Sequence, residues 1–134
     1  STSAQGTVMI EVGAGELIDK ITILQIKSER MQDAAKLANV RHELAVLDAG
    51  RRAHLPASAE MDRLEAGLRE VNSALWVIED DIRACEAAKD FGPRFIELAR
   101  SVYMQNDKRA QLKKDINLLC GSSIVEEKSY TEFS

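Results

Sequence analysis

Hydrophobic positions in this chain recur mostly at helical spacing. Between Met61 and Cys85, eight apolar residues follow one another at steps of three and four, which makes an unbroken heptad pattern. Such a pattern is typical of helices that pack against each other by knobs-into-holes contacts. With Ser58 as its N-cap, it predicts a helix over residues 58–90. A second stripe with the same spacing predicts another helix over residues 93–120.

These two long helices are predicted to form an antiparallel hairpin, because only the turn around Gly92 separates them. A helix over residues 58–90 would be about 50 Å long at 1.5 Å per residue. A compact chain of this length has a radius of gyration of about 14 Å. The hairpin therefore extends beyond what the rest of the chain covers, and we expect a homodimer in which a second copy covers the remaining apolar surface.

The first half of the chain is predicted to contain a short strand and two further helices. Residues 7–12 alternate apolar and polar positions, which is typical of a strand. Residues 16–31 are apolar over most of their girth, which predicts a helix buried on more than one side. The β-branched residues at 21–26 leave a strand open as the alternative there. Residues 33–49 predict a second helix, and residues 50–57 a loop.

The elements together predict a mainly all-α fold. It is an antiparallel helical bundle built on a long helical hairpin, with a short N-terminal strand and an extended C-terminal tail over residues 122–134. We expect one domain over residues 1–134. The composition agrees, because a chain of 134 residues with 45% apolar residues buries a sizeable core without a metal or disulfides. No cofactor is expected.

Charge and composition exclude several classes of function. The chain has 18 Lys and Arg against 22 Asp and Glu, a net charge of −4, and only 4% aromatic residues. Nucleic-acid binding relies on basic and aromatic surfaces, so none is expected. No apolar run reaches the roughly 20 residues of a membrane span, and the first residues lack the features of a secretory signal. Two cysteines, Cys85 and Cys120, do not make a disulfide framework, which favours the cytoplasm.

A polar interruption is predicted in the middle of the hairpin. Gln105 and Arg109 occupy positions of the second stripe that should be apolar. Pairing the two helices about their turn brings Glu79 and Asn106 beside them. Because a buried arginine needs a paired acid, we predict a polar notch at this level. The notch either fixes the register of the helices or binds a ligand that carries a phosphate or carboxylate group.

The ligand interpretation assigns a role to each polar side chain near the notch. The candidate binding residues are Glu79, Arg83, Arg100, Tyr103, Asn106, Asp107, Arg109 and Lys113. In this interpretation the basic side chains of Arg100, Arg109 and Lys113 hold the anion, and the other side chains position it. Whether a reaction follows is left open.

No metal site is predicted. The acids at residues 79–81 are consecutive, so on a helix they point in three directions. Glu16 and Asp19 match half of the paired acidic motif with which helical nucleotide pyrophosphohydrolases hold magnesium, but the chain offers no second half. Arg83 lies one turn beyond Glu79 and offers it an intrahelical partner.

Several segments form distinctive motifs: GELIDKITIL at residues 15–24, LWVIEDDIR at 75–83, FIELARSVY at 95–103 and Asn106-Asp107. These motifs resemble the signatures of an uncharacterised bacterial family, a domain of unknown function. The resemblance extends over nearly the whole chain and implies a small stand-alone bacterial domain, without an activity or functional residues to transfer.

The sequence therefore favours a homodimeric interaction or scaffold module. It does not identify a protein partner other than a second copy of the chain. The alternative is a small-molecule binding protein or enzyme with its pocket in the helical hairpin. The two hypotheses differ in the role of Arg109, which is a register device in the first and a ligand-binding residue in the second.

Overall fold

The computed structural model describes residues 6–122 together with residues 127 and 129. Its helices are α1 (Ala14–Arg30), α2 (Ala34–His54), α3 (Ala59–Ala87) and α4 (Pro93–Cys120). The described part of the chain contains no strand, so the all-helical fold class is confirmed. Helices α3 and α4 form the long hairpin, α1 packs against each of the other three helices, and α2 packs on α1.

The strand predicted over residues 7–12 is not present. These residues are irregular, and the side chains of Val8, Met9 and Ile10 are exposed. An alternating pattern makes a strand only where a neighbouring strand pairs with its backbone. The tail predicted over residues 122–134 lies outside the described residues, apart from residues 122, 127 and 129.

Helix α1 is the centre of the bundle. Ile18 and Ile21 are fully buried, and they pack with Leu68 and Met61 of α3 and with Ile116 of α4. Burial on several sides explains why this helix is apolar over most of its girth. It also settles the alternative over residues 21–26 in favour of a helix, because each face of α1 meets a different neighbour.

The first turn of α1 is held against the end of α4. The backbone N–H of Ala14 donates to Ser122 Oγ at 3.1 Å, and that of Gly15 donates to Asn117 Oδ1 at 2.7 Å. A Cβ atom at Gly15 would lie 2.2 Å from the carbonyl oxygen of Lys113. Only glycine therefore allows this close approach of the two backbones. Two of the N–H groups that a helix start leaves open are thus satisfied from within the chain.

Helix α2 continues five residues beyond its predicted end, through Gly50 to His54. A glycine inside a helix weakens it by roughly 1 kcal/mol, and here tertiary contacts compensate. Arg51 makes two hydrogen bonds to Glu65 of α3, one of them 2.9 Å between Nη1 and Oε2. This bonding raises the pKa of Arg51 above its usual value. Leu55 packs against the core just after the helix.

The hairpin turn begins earlier than predicted. Helix α3 ends at Ala87, three residues before the predicted end, because Lys89 adopts a left-handed φ of 56° and the chain reverses there. Asp90 Oδ1 accepts a hydrogen bond from the backbone N–H of Gly92 at 3.0 Å, which holds the turn before α4.

In the part of the chain that is described, no helix is both long enough and apolar enough for a membrane crossing.

Replacing Gly15 by alanine tests the close approach of α1 and α4. We expect Gly15→Ala to lower the free energy of unfolding by about 3 kcal/mol, because backbone atoms of Lys113 stand where the methyl group must go. The measurement is urea denaturation followed by circular dichroism. Gly50→Ala is the control: nothing lies within 4 Å of a Cβ atom there, so it should stabilise the protein by about 0.5–1 kcal/mol. Equal effects of both substitutions would contradict the close contact.

Candidate functional site

An ion pair joins α1 to α4 in the middle of the bundle. The Asp19 carboxylate is buried, with 1% of its side chain exposed, whereas 30% of the Arg109 side chain is exposed. Asp19 accepts hydrogen bonds from Arg109, at 2.9 Å from Nε and 2.6 Å from Nη2. This is the bidentate geometry in which arginine binds a carboxylate most strongly. Arg109 thus has the acidic partner that was predicted for it. That partner is Asp19 of α1 and not Glu79 of α3.

Two neutral side chains complete the network around this ion pair. Asn72 Nδ2 donates to Asp19 Oδ1 and to Thr22 Oγ1, both at 2.9 Å. The Thr22 hydroxyl donates in turn to the carbonyl oxygen of Asp19 at 2.7 Å. In the described residues, no buried side-chain nitrogen or oxygen lacks a hydrogen-bond partner. The network therefore holds α1, α3 and α4 in one register, because a shift by one turn would separate these groups.

A cavity of about 290 Å³ lies directly beside this network, between α1, α3 and α4. It is lined by Ile23, Ile26, Asn72, Leu75, Trp76, Glu79, Val102, Asn106 and Arg109. The volume is at the lower end of the range of about 300–1,000 Å³ that is usual for small-molecule sites. The walls are mostly apolar, and the polar groups come from α3 and α4. The cavity is thus an apolar chamber in which a few polar side chains meet.

The two charged side chains in the described lining, Arg109 and Glu79, differ in how far a partner neutralises their charge. Among the described residues, Arg109 is the one cation in the lining, and its Nε and Nη2 atoms are hydrogen-bonded to Asp19. An anion at this guanidinium would compete with Asp19, and a buried acid that loses its partner costs about 3–5 kcal/mol. Glu79 is the carboxylate in the lining, and 58% of its side chain is exposed. The local balance of charge is therefore unfavourable for a phosphate or a carboxylate.

Three of the predicted site residues meet at the cavity: Glu79, Asn106 and Arg109. Arg83 stays outside it on the exposed surface of α3, where its Nε donates to Glu79 Oε1 at 2.9 Å. Both side chains of this pair are largely exposed, so the contact is weak. Gln105 is half-buried and does not line the cavity.

The other candidates lie elsewhere on α4. Lys113 is buried and its Nζ is 2.8 Å from Glu16 Oε2, next to the first turn of α1. Arg100, Tyr103 and Asp107 are exposed and do not line the cavity. Arg100, Tyr103 and Asp107 are spaced so that they share one face of α4, which is not the face that carries Arg109. Lys113 lies one turn beyond Arg109 and is paired with Glu16. Within the part of the chain that is described, the basic side chains of α4 therefore do not gather at the cavity.

The cavity lining contains no serine, cysteine, histidine or lysine, so the described residues place no nucleophile and base together there. Burial raises the pKa of the Cys120 thiol, which keeps it protonated and weakly nucleophilic. Nor do three or more His, Cys, Asp or Glu side chains in the described ranges gather in a way that could hold a metal ion.

Asp19, Thr22 and Asn72 are the central residues that the sequence interpretation missed. A signal was available for two of them, because Asp19 and Thr22 are polar positions three residues apart in the most apolar helix of the chain. A carboxylate in such a stripe indicates a paired buried charge. The partner could not be identified, because it lies 90 residues away.

Comparison with known proteins places the chain in a family. A family model described as a family of unknown function, DUF6165, matches residues 8–133. No curated protein and no solved structure matches the chain.

Removal of one partner of the ion pair should destabilise the protein strongly. Arg109→Met leaves the Asp19 carboxylate without its main partner in the core, so we expect the free energy of unfolding to fall by about 3–5 kcal/mol. Asp19→Leu combined with Arg109→Met should cost less than the sum of the two single changes, because it leaves no unpaired charge. Urea denaturation of all three variants measures this coupling.

Arg83→Met is the control for this experiment. It removes an arginine from an exposed pair on α3, and we expect its effect to remain within about 0.5 kcal/mol. Strict additivity of Asp19→Leu and Arg109→Met would show that the two side chains do not stabilise each other.

Proposed function

The chain belongs to the family of unknown function DUF6165, and because this membership brings no activity, we propose a function from the geometry alone. The protein is a helical interaction module that forms a homodimer through the distal part of its hairpin, residues 77–104. The single observation that carries this proposal is the uneven burial of one apolar stripe along α3.

The apolar stripe of α3 is buried near its start and less so further along. Met61 is 1% exposed and Leu68 is fully buried, whereas Ile78 and Ile82 continue the same heptad pattern and are half-buried. Cys85, near the end of the helix, is buried again. The cause is length. Helix α1 has 17 residues and is about 26 Å long, while α3 has 29 residues and is about 44 Å long.

Large apolar side chains are also exposed on the surface of the distal part. They are Val77, Phe91, Ile96, Tyr103 and Met104, with exposed fractions between 39% and 55%. Ile96 and Tyr103 are seven residues apart on α4, so they lie on one face of that helix. Apolar side chains that gather on one part of a surface favour a contact with another protein.

A second copy of the chain suits this surface. Acidic and basic side chains are interspersed on it, as in the pairs Glu79–Arg83 at 2.9 Å and Asp81–Arg94 at 3.5 Å. Such a surface has no field of a single sign to attract a strongly charged partner. Two hairpins related by a two-fold axis would form an antiparallel four-helix bundle, in which each copy covers the apolar stripe of the other.

A cytoplasmic location is part of this proposal. Cys85 and Cys120 are both free thiols. Free thiols are usual in reducing compartments, whereas secreted proteins tend to use their cysteines in disulfides.

Binding of a small molecule is the second candidate function. The observation that favours it is the cavity beside the Asp19–Arg109 pair, where apolar walls and polar side chains meet. The sequence analysis predicts a ligand whose phosphate or carboxylate group would bind Arg109. The engagement of Arg109 by Asp19 disfavours that form.

Self-association is tested by the molar mass in solution. We expect sedimentation equilibrium to give twice the mass of the 14.8 kDa chain. The double substitution Val77→Lys and Ile96→Lys should convert the dimer to a monomer, because it introduces like charges and hydration into a surface that the dimer buries. Both positions are exposed in the single chain, so the helical circular dichroism should not change.

Val46→Lys is the matched control. Val46 is 56% exposed but belongs to α2, away from the distal part of the hairpin, so this variant should remain dimeric. A wild-type protein that is monomeric over the whole concentration range would refute the proposal. So would a dimer that Val46→Lys dissociates and the double substitution does not.

A further inference from the structure

The cavity between α1, α3 and α4 has the chemistry of a cation site, and we propose that it binds a small ligand in which a protonated amine is attached to an apolar body. The cavity is formed within one chain, so this proposal does not depend on self-association.

The walls of the cavity determine the apolar part of the ligand. Ile23 and Ile26 of α1 face the space together with Leu75 of α3 and Val102 of α4. Aliphatic walls of this kind favour hydrocarbon over a polar ligand, because they offer nothing to replace hydrogen bonds to water. The volume of about 290 Å³ restricts the ligand to a small molecule or a single side chain.

The charged side chains in the lining determine whether the polar group of the ligand is a cation or an anion. Arg109 is committed to Asp19 through two hydrogen bonds, so the positive charge in the lining is already compensated. Among the described lining residues, the remaining charge is the carboxylate of Glu79. Its partner Arg83 is 77% exposed at the surface, and an exposed pair of this kind is exchanged at little cost. An ammonium group inside the cavity can therefore take the place of Arg83.

Two further side chains in the lining suit an ammonium group. The indole ring of Trp76 attracts cations through the negative potential of its face. The amide of Asn106 offers an oxygen that accepts a hydrogen bond from N–H. Glu79, Trp76 and Asn106 thus bring a carboxylate, an indole ring and an amide to the lining of the cavity. A carboxylate ligand would find the opposite conditions, since it would be repelled by Glu79 and would compete with Asp19 for Arg109.

Trp76 makes the proposal directly measurable, because it is the single tryptophan of the chain and lines the cavity. Its fluorescence is titrated with three probes that have six carbon atoms each: hexylammonium, hexan-1-ol and hexanoate. We expect a saturable change of the emission with hexylammonium, weaker binding of hexan-1-ol and no binding of hexanoate.

Substitution of Glu79 tests whether this carboxylate gives the cavity its preference for an ammonium group. Glu79→Gln should weaken the binding of hexylammonium about tenfold and leave that of hexan-1-ol unchanged, because only the ammonium uses the carboxylate. The matched control is Glu70→Gln, which removes an exposed carboxylate from the same helix outside the cavity and should bind all three probes like the wild type. Circular dichroism verifies that both variants fold.

Three results of these titrations would each overturn the proposal. Hexanoate binding as tightly as hexylammonium would overturn the proposal, and so would the absence of any saturable change with hexylammonium. An equal loss of binding in Glu79→Gln and Glu70→Gln would also overturn it, because the effect would then be one of net charge alone.

The amine could belong to a free metabolite or to a lysine side chain of a protein, and a fourth probe distinguishes these sources. Acetyl-Ala-Lys-Ala-amide carries the same ammonium group on four methylene groups of a peptide. If hexylammonium saturates the signal and the peptide does not, the cavity is assigned to a free amine. If the peptide also saturates it, the cavity is assigned to a lysine side chain. Both results support the proposed class of ligand.

Discussion

The ion pair between Asp19 and Arg109 is the constraint on which the rest of this structure depends. A carboxylate that is 1% exposed needs a partner of opposite charge, and the partner here comes from a helix 90 residues away in sequence. Helix α1 must therefore lie in the groove of the hairpin at one level and in one orientation. The close backbone contact at Gly15 and the hydrogen bonds from its first turn to Asn117 and Ser122 are compatible with that position.

The position of α1 also explains where the bundle leaves space. The cavity lies beside the polar network, between Ile26 of α1, Trp76 of α3 and Val102 of α4. Helix α1 ends at Arg30, and the hairpin continues beyond it. The ion pair and the cavity are therefore neighbours in one arrangement, and Arg109 belongs to both. The ion pair holds the helices, and the space beside it is available to a ligand.

Part of this site could be inferred from the sequence. Arg109 interrupts an apolar stripe, so its need for an acid follows from elementary electrostatics, and antiparallel pairing correctly brings Glu79 and Asn106 to its neighbourhood. The acid that binds it is Asp19, which no local rule could select among 22 acidic residues. Lys113 and Arg100 were grouped with Arg109 by sequence distance, although Arg100 lies on another face of α4 and Lys113, one turn beyond Arg109, is paired with Glu16.

The sequence by itself determined the helical class, the long hairpin and the break between its helices, because periodicity, caps and turn residues act over a few residues. The tertiary structure decided whatever depends on a distant neighbour. Helix α2 passes through Gly50 because Arg51 meets Glu65 of another helix, and residues 7–12 are irregular in spite of their alternation. A pattern shows which face of a segment avoids water, but the group that this face meets is a property of the packed chain.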